Sequence, residues 1–431
     1  MGSVWTDTIE APRFEPLRGK IETDVLIVGG GMAGILCAHA LHERGVDYAL
    51  VEAGRVGSGV SANTTAKVTS QHGLIYDKLT QSAGLEKARH YLRANEAAVG
   101  RYRTLARDVP CDWEDKPAFV YSCDGRSAVE REAEAVRALG GQADVVSEAP
   151  LPIEIKAAVR FENQAQFHPL KFLCGLAQGL NIYENTFIQT LEGTTARAAL
   201  GSVAARRVVA ATHFPFLNRH GSYYLKLYQH RSYVIALDNA PDVGGMYVDA
   251  CPTGLSFRNY NELLFVGGGD HRTGERGGHW AELRALARQA YPGASERYAW
   301  ATQDCMSLDG VPYIGRYSRR TPHLHVVSGF NKWGMTGSMV GAMILADLLT
   351  EGKSEWADVF SPSRSMLKKQ LAANGAHAVK NLLSRSPKRC THMGCALRWN
   401  TVESTWDCPC HGSRYDAEGN VLDNPAMKGL G

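Results

Sequence analysis

The chain has 431 residues, 44% of them hydrophobic, enough for two or three domains with substantial cores. Its 47 basic and 44 acidic residues leave a net charge of +3, which argues against a nucleic-acid partner and against a basic membrane-binding patch. Ten cysteines do not form a secreted disulfide framework: six are scattered and four gather near the C-terminus, so a reducing cytoplasm is expected. The opening residues, Met1-Gly2-Ser3-Val4-Trp5-Thr6, lack the charged-then-apolar plan of a secretory signal. The longest apolar stretch, Met339 to Leu349, is too short for a membrane span and contains Asp347.

Residues 1–22 read as an extended N-terminal arm. Asp24-Val-Leu-Ile-Val28 then has the β-branched and aliphatic run of a buried strand. It leads directly into Gly29-Gly-Gly31-Met32-Ala33-Gly34, a helical pattern to Arg44, and a second strand from Tyr48 that ends at Glu52. Strand, glycine turn, helix, strand and acid in this order make a dinucleotide site. Gly29 permits the tight turn, Gly31 lets backbone approach a pyrophosphate, Gly34 lets the helix pack closely, and Glu52 accepts from ribose hydroxyls. The same unit serves NAD and FAD. The small, polar stretch that follows, with Arg55, Ser61, Thr64, Thr65, Ala66 and Lys67, suits a cofactor that extends beyond its pyrophosphate.

Helical spacing recurs over Tyr91 to Arg107 and Ala128 to Leu139, and short strands dominate from about 150 to 270, interrupted by a helix reaching Leu180. Gly267-Gly-Gly269 lacks the later glycine of a nucleotide loop and reads as a turn beside a strand. Arg231, Arg258, Tyr260, His271 and Arg272 are weak candidates for a catalytic or substrate-orienting role, since an arginine can hold a carboxylate bidentately. Each reads equally as a structural residue. Another buried strand, Ala205 to Thr212, and a strand at His323 to Val327 precede Gly329-Phe-Asn-Lys-Trp-Gly334-Met335-Thr336, which opens a helix through Leu349. The positive end of that helix can face an electron-rich ring carbonyl.

This combination resembles the D-amino-acid-oxidase-like FAD oxidoreductases over about residues 20–355. The resemblance implies an α/β fold, with a Rossmann-like FAD-binding domain and a mixed-sheet substrate domain roofing the flavin. It places FAD on Gly29, Gly31, Met32, Ala33, Gly34, Glu52, Arg55, Ser61, Thr64, Thr65, Ala66 and Lys67, with Gly329, Gly334, Met335 and Thr336 near the ring. FAD-binding parts fall at about 23–90, 190–220 and 305–355, and substrate-domain parts at about 91–190 and 220–304, within an oxidoreductase unit of 23–355. Cys305 is similar to the flavin-attaching cysteine of sarcosine oxidases, but its spacing to the Pro312 segment is shorter, so attachment through it is not expected.

Residues 356–386 read as a linker with a helix to about Leu383. Beyond it come Cys390-Thr-His392-Met-Gly-Cys395, twelve residues, and Cys408-Pro-Cys410-His411-Gly-Ser413-Arg-Tyr415. Two thiolates and two imidazoles at Cys390, His392, Cys408 and His411 fit one metal site, either a His-ligated [2Fe–2S] centre or zinc. Zinc gives the extra cysteine of each half no role. The pattern closely resembles the Rieske iron–sulfur proteins of cytochrome bc-type complexes. That resemblance implies a cluster on those four residues and a Cys395–Cys410 disulfide. It also makes Ser413 and Tyr415 hydroxyl donors to sulfur. The module, 387–431, is a shortened all-β version, because only Ser384 to Arg389 precede the first ligand loop where the family places several strands.

The joint order resembles bacterial fusions of such an oxidoreductase with a Rieske domain. It implies a flavoenzyme that oxidises a small amine or amino acid and passes electrons singly through the cluster to an unknown one-electron carrier. The rival readings are an oxygen-using amine oxidase with a structural Rieske remnant, and a non-enzymatic redox sensor or electron carrier.

Overall fold

A computed structural model describes residues 2–217, 220–251 and 254–431. Strand Gly19–Val28 lies parallel between Tyr48–Val51 and Gly201–Ala210, and Thr321–Ser328 adds a further parallel strand beside Gly201–Ala210. Alternate residues of the first strand enter different cores. Val25 and Ile27 pack with helices Met32–Glu43 and Gly334–Thr350, while Leu26 and Val28 pack with Val203, Val208 and Val326. Burial on both faces explains why Val25 to Val28 is a continuous apolar run and not an alternating one.

A second, mixed sheet runs in the order Ser295–Met306, Tyr228–Asp238, Leu263–Arg272, Ser256–Tyr260, Met246–Asp249, Ala118–Ser122, Ala157–Phe161 and Asp144–Val146. The C-terminal module is a four-stranded antiparallel sheet of Arg398–Asn400, Thr405–Asp407, Arg414–Tyr415 and Val421–Asp423. Its own core is small: Cys390, Cys395, Leu397, Cys408, Cys410, Tyr415 and Ala426. Helix Lys369–Leu383 precedes it. Among the described residues, no helix is long and apolar enough to cross a membrane.

Two local expectations change. The glycines 267–269 are not a turn beside a strand; they lie inside strand Leu263–Arg272, where Gly269 has φ +64° and pairing with the neighbouring strand shifts register between Arg231 and Tyr233. An irregularity of this kind kinks a strand without ending it. The N-terminal arm is not extended throughout. Residues 19–22 already belong to the first strand, and Val4–Asp7 is a helical turn that buries Trp5 completely. The indole donates to the Thr64 carbonyl at 2.7 Å and meets His168, Tyr260 and Phe265 edge-on. Trp5→Ala is therefore expected to cost about 3–5 kcal/mol, read as a fall in thermal midpoint with a loosened segment around Thr64.

Candidate functional site

A cavity of about 1110 Å3 opens where the first sheet meets the second. Its floor is the dinucleotide motif, with Gly29, Gly31, Met32, Ala33 and Glu52 all on its wall. Gly29 has φ +112°, and a Cβ there would lie 2.5 Å from the Ala211 carbonyl oxygen, so neighbouring strands meet at this turn. A Cβ on Gly34 would lie 1.8 Å from the Gly29 oxygen, which only a glycine avoids. Around Gly31, by contrast, the nearest atom to such a carbon is Ser61 Oγ at 3.4 Å. The backbone is thus bare where a phosphate can approach. Glu52 accepts from the Gly30 and Gly54 amides at 2.6 and 2.8 Å, which fixes its carboxylate while each oxygen keeps a second acceptor site. Ser61 Oγ accepts from the Met32 amide at 3.0 Å.

Arg55, Thr64, Thr65, Lys67, Gly334 and Met335 also line the cavity; Gly34, Ala66, Gly329 and Thr336 stand behind its wall. Arg55 pairs with the buried Glu184 at 3.1 Å. Thr336 Oγ1 contacts His72 Nε2 at 2.9 Å and the Thr69 carbonyl at 3.0 Å. His72 in turn stacks on Trp333, 5.0 Å between centroids, and burial pushes its imidazole down to about 3. Lys67 is pushed down to about 7 by burial and then by Arg258.

The roof is the second sheet, and strand alternation decides what it offers. Tyr228, His230 and Ser232 face the cavity, as do Thr302 and Asp304 on the adjacent strand. Lys332 forms an ion pair with Asp270 at the same wall. Asp304 accepts from Ser232 Oγ at 2.9 Å, and burial raises its carboxyl above the ordinary range. The intervening residues point the other way, into the C-terminal module. Gln229 donates to the His411 and Asn424 carbonyls at 2.9 Å each, and Gln303 donates to the Gly412 carbonyl at 2.8 Å. A Cβ on Gly412, where φ is +83°, would come within 2.5 Å of Gln229 Cβ. The sheet thus turns one face to the cavity and the other to the loop that carries His411, and the module's Val421, Asp423 and Asn424 reach the cavity wall themselves.

In that module the two cysteine–histidine loops converge. Cys390, Cys408 and His411 are buried and His392 is half-buried. The two imidazole centroids are 4.9 Å apart. Cys395 and Cys410 are joined by a disulfide that ties the loops together. Tyr415 Oη lies 3.3 Å from Cys390 Sγ, and hydrogen bonds from Cys408, Tyr415 and Ser413 pull the Cys390 thiol below its ordinary range against the effect of burial. Burial keeps both imidazoles neutral, His392 down to about 4 and His411 to about 3. Nδ1 of His411 is buried with no hydrogen-bond partner, a poor state for a polar atom unless it binds something else.

A family model described as FAD dependent oxidoreductase matches residues 24–348, and a Rieske [2Fe-2S] domain model matches 377–431. The chain is an FAD-dependent oxidoreductase with a Rieske domain. Along its whole length it is similar to YhfW of Bacillus subtilis, named for a Rieske 2Fe-2S iron-sulfur centre, at 33% identity over 99% of this chain and 96% of that one. An iron-sulfur subunit of the cytochrome b6-f complex of Nostoc is 56% identical over 41 residues, 10% of this chain and 23% of that one. Among solved structures, L-proline dehydrogenase from P. horikoshii superposes with a TM-score of 0.68 at 16% identity, covering 81% of this chain and 98% of that one. That likeness is one of fold.

FAD and a [2Fe–2S] cluster are the cofactors of this oxidoreductase, and the residues present fit both. The bare backbone at Gly31 and the fixed Glu52 carboxylate suit a dinucleotide, while paired thiols and neutral imidazoles suit a mixed-ligand cluster. The weak catalytic candidates fare differently: none lines the cavity. Arg231 forms a buried ion pair with Glu403 of the Rieske module. Arg258 donates to the Thr65 and Ala66 carbonyls. Tyr260 donates to Asp112 at 2.6 Å, and His271 contacts Tyr233 Oη at 3.0 Å and the Arg272 carbonyl at 2.8 Å. Arg272 donates to the Pro409 and Cys410 carbonyls and to Asn374. Cys305 is buried beside Ser328, also off the cavity wall. Side chains that sequence reading missed, His230, Asp270, Asp304 and Lys332, form the roof in their stead. Period-two alternation along Tyr228–Asp238 was the available signal, and Arg231 has the wrong parity.

Glu403 also pairs with Arg414 at 2.8 Å, and Arg414 with Asp407 and Asp423 at 3.1 and 3.0 Å. Burial would raise the Glu403 carboxyl, but Arg231 and Arg414 outweigh it and hold the group at about 2. A depressed carboxylate stabilises the docked state above its unfolded pKa, and that stability is lost as pH falls through the folded value. Docking of the module is therefore expected to weaken between about pH 4.5 and 2. Glu403→Gln strands Arg231 and is expected to cost about 3–5 kcal/mol at neutral pH, seen as faster proteolysis between residues 356 and 386.

Proposed function

We propose that this oxidoreductase removes two electrons from the carbon–nitrogen bond of a small amine or amino acid and sends them, one at a time, across the shared sheet to a one-electron acceptor. When bound, FAD supplies the two-electron chemistry and the Rieske cluster the one-electron chemistry. We assign the cofactor-binding roles to Gly29, Gly31, Glu52, Ser61 and Lys67 for FAD and to Cys390, His392, Cys408 and His411 for the cluster. The observation that carries the reading is Gln229: its strand neighbours Tyr228 and His230 line the cavity, while its own amide holds the His411 carbonyl.

The residues of the roof orient the substrate and take up its proton. Burial raises the Asp304 carboxyl above its ordinary range, which makes its carboxylate a stronger base for a proton of a bound ammonium, while burial pushes the His230 imidazole down to about 3, so that it stays neutral and can accept a hydrogen bond. The Lys332–Asp270 pair adds fixed charges beside them. The sheet and the docked module keep bulk water away from the path between the cavity and the cluster loops. The amine class is supported by the fold shared with L-proline dehydrogenase, and a reducing cytoplasm by the buried Cys37, Cys111, Cys174 and Cys305, which form no disulfide.

His411→Ala is expected to leave anaerobic reduction of the flavin by substrate intact and to abolish turnover with one-electron acceptors. Turnover that survives the substitution overturns the relay. Asp304→Asn is expected to slow flavin reduction by about 10²-fold or more, the usual worth of a proton-transfer group, with cluster content unchanged.

A further inference from the structure

The overall charge of +3 conceals a strongly segregated stretch. Between Val359 and Val402 the chain has eight basic residues and no aspartate or glutamate. This stretch includes helix Lys369–Leu383 and the whole first ligand loop of the Rieske module. Hydrogen bonds hold its surface together. Arg389 donates to the carbonyls of Leu382, Ser384 and Gly394 at 2.9, 2.9 and 3.1 Å, which joins the helix end to the loop. Thr391 Oγ1 donates to the Lys428 carbonyl at 2.7 Å, which brings the C-terminal segment to the same strip.

Apolar side chains are exposed along that strip: Leu382 by 46%, Leu383 by 80% and Met393 by 43%. Lys380, Arg385, Arg389 and Lys428, all exposed, are distributed around them. Within the four-residue ligand set, His392 alone is not buried, and Met393 is its neighbour. The opposite histidine, His411, faces inward, with the rings of Phe214 and Tyr224 at 6.3 and 6.5 Å. Phe214 also lies 6.2 Å from His392, so both imidazoles adjoin the oxidoreductase body, but His392 is the one that keeps part of its surface in solvent.

We infer that the face formed by Leu382, Leu383 and Met393, rimmed by Lys380, Arg385 and Lys428, docks an acidic one-electron carrier protein over His392. This rests on the relay reading and names its missing partner by chemistry. A small apolar contact surrounded by one sign of charge is what a transient redox complex needs: charge steers the encounter, and a modest interface lets the carrier leave. An anionic membrane is the poorer fit, because the cations gather around the ligand loop and the end of the helix and do not line one helix face.

The test measures binding of the loaded, full-length protein to three probes by calorimetry at low and moderate salt. These are an acidic plant-type [2Fe–2S] ferredoxin, a basic mitochondrial cytochrome c, and phosphatidylglycerol vesicles. The ferredoxin is expected to bind, with an affinity that falls about tenfold as salt screens the rim. The combined variant Lys380→Glu, Arg385→Glu, Lys428→Glu is expected to lose about tenfold more, with its flavin and cluster spectra unchanged. Leu383→Ser, which carries no charge, is expected to weaken binding without altering the salt slope. No binding to ferredoxin, preference for cytochrome c or for vesicles, or affinity unmoved by the charge reversal each overturns the inference. Transfer from flavin to cluster within the chain, followed by rapid mixing with substrate and no carrier present, judges the relay separately.

Discussion

A β-strand sends successive side chains to opposite faces, and this protein depends on one strand using both. Tyr228–Asp238 lies second from the edge of its sheet with a neighbour on each side, so its backbone is satisfied on both edges and its position is fixed. Even-numbered residues from Tyr228 to Ser232 then belong to the cavity, while Gln229 and Arg231 belong to the Rieske module. A shift of one residue in register would exchange the two sets. It would place a buried arginine at the cavity roof and leave the His411 loop without its amide donor. The bulge opposite Arg231 and Tyr233 lies where this double duty ends, and from there Tyr233 serves both sides, on the cavity wall and as a donor to Glu403.

The shortened Rieske module makes sense against this wall. Its ligand loops stand on a sheet whose strands are only two or three residues long, and its core contains little beyond the cysteines, Leu397, Tyr415 and Ala426. So small a core holds little hydrophobic stabilisation of its own. What a larger module would supply from within comes here from the oxidoreductase. Arg272 holds the Pro409 and Cys410 carbonyls, Gln303 holds Gly412, and Asn424 donates back to the Phe214 carbonyl at 2.9 Å. Groups around a metal site decide how firmly its ligands are oriented. In this chain those groups are distributed over two units, so the Pro409, Cys410, His411 and Gly412 carbonyls of the second ligand loop find their side-chain donors in the oxidoreductase.

Local patterns were legible in the sequence, and contacts across it were not. The glycine turn, its flanking strands, Glu52 and the four candidate cluster ligands are specified within short windows, because a tight turn or a metal loop needs particular residues at fixed spacing. The helix opening at Gly334 could be read for the same reason. Arg231, Arg258, Tyr260 and His271 could not be assigned, since an arginine in a strand has the same local signature whether it faces substrate, a carbonyl or another domain. Trp5 was hidden in a polar arm, as its partners Thr64, His168 and Tyr260 lie far along the chain. Asp270 and Lys332 approach from separate elements, and only the folded roof makes them a pair.

The charges at the interface raise a question of magnitude. Removing Glu403, Arg231 and Arg414 from water is costly, and a buried ion network seldom repays more than its own desolvation. Apolar residues of similar shape would hold the module at least as tightly. What they would not supply is direction: the forked guanidinium of Arg231 meets both oxygens of Glu403, while Arg414 reaches Glu403, Asp407 and Asp423 from the other side. Each contact is satisfied in one relative orientation of the two units. The network therefore acts on geometry more than on affinity, and geometry is what a path between two redox sites requires. A slip at the interface that hydrophobic packing would tolerate leaves a buried charge without its partner, so the docked pose is selected by the cost of its alternatives.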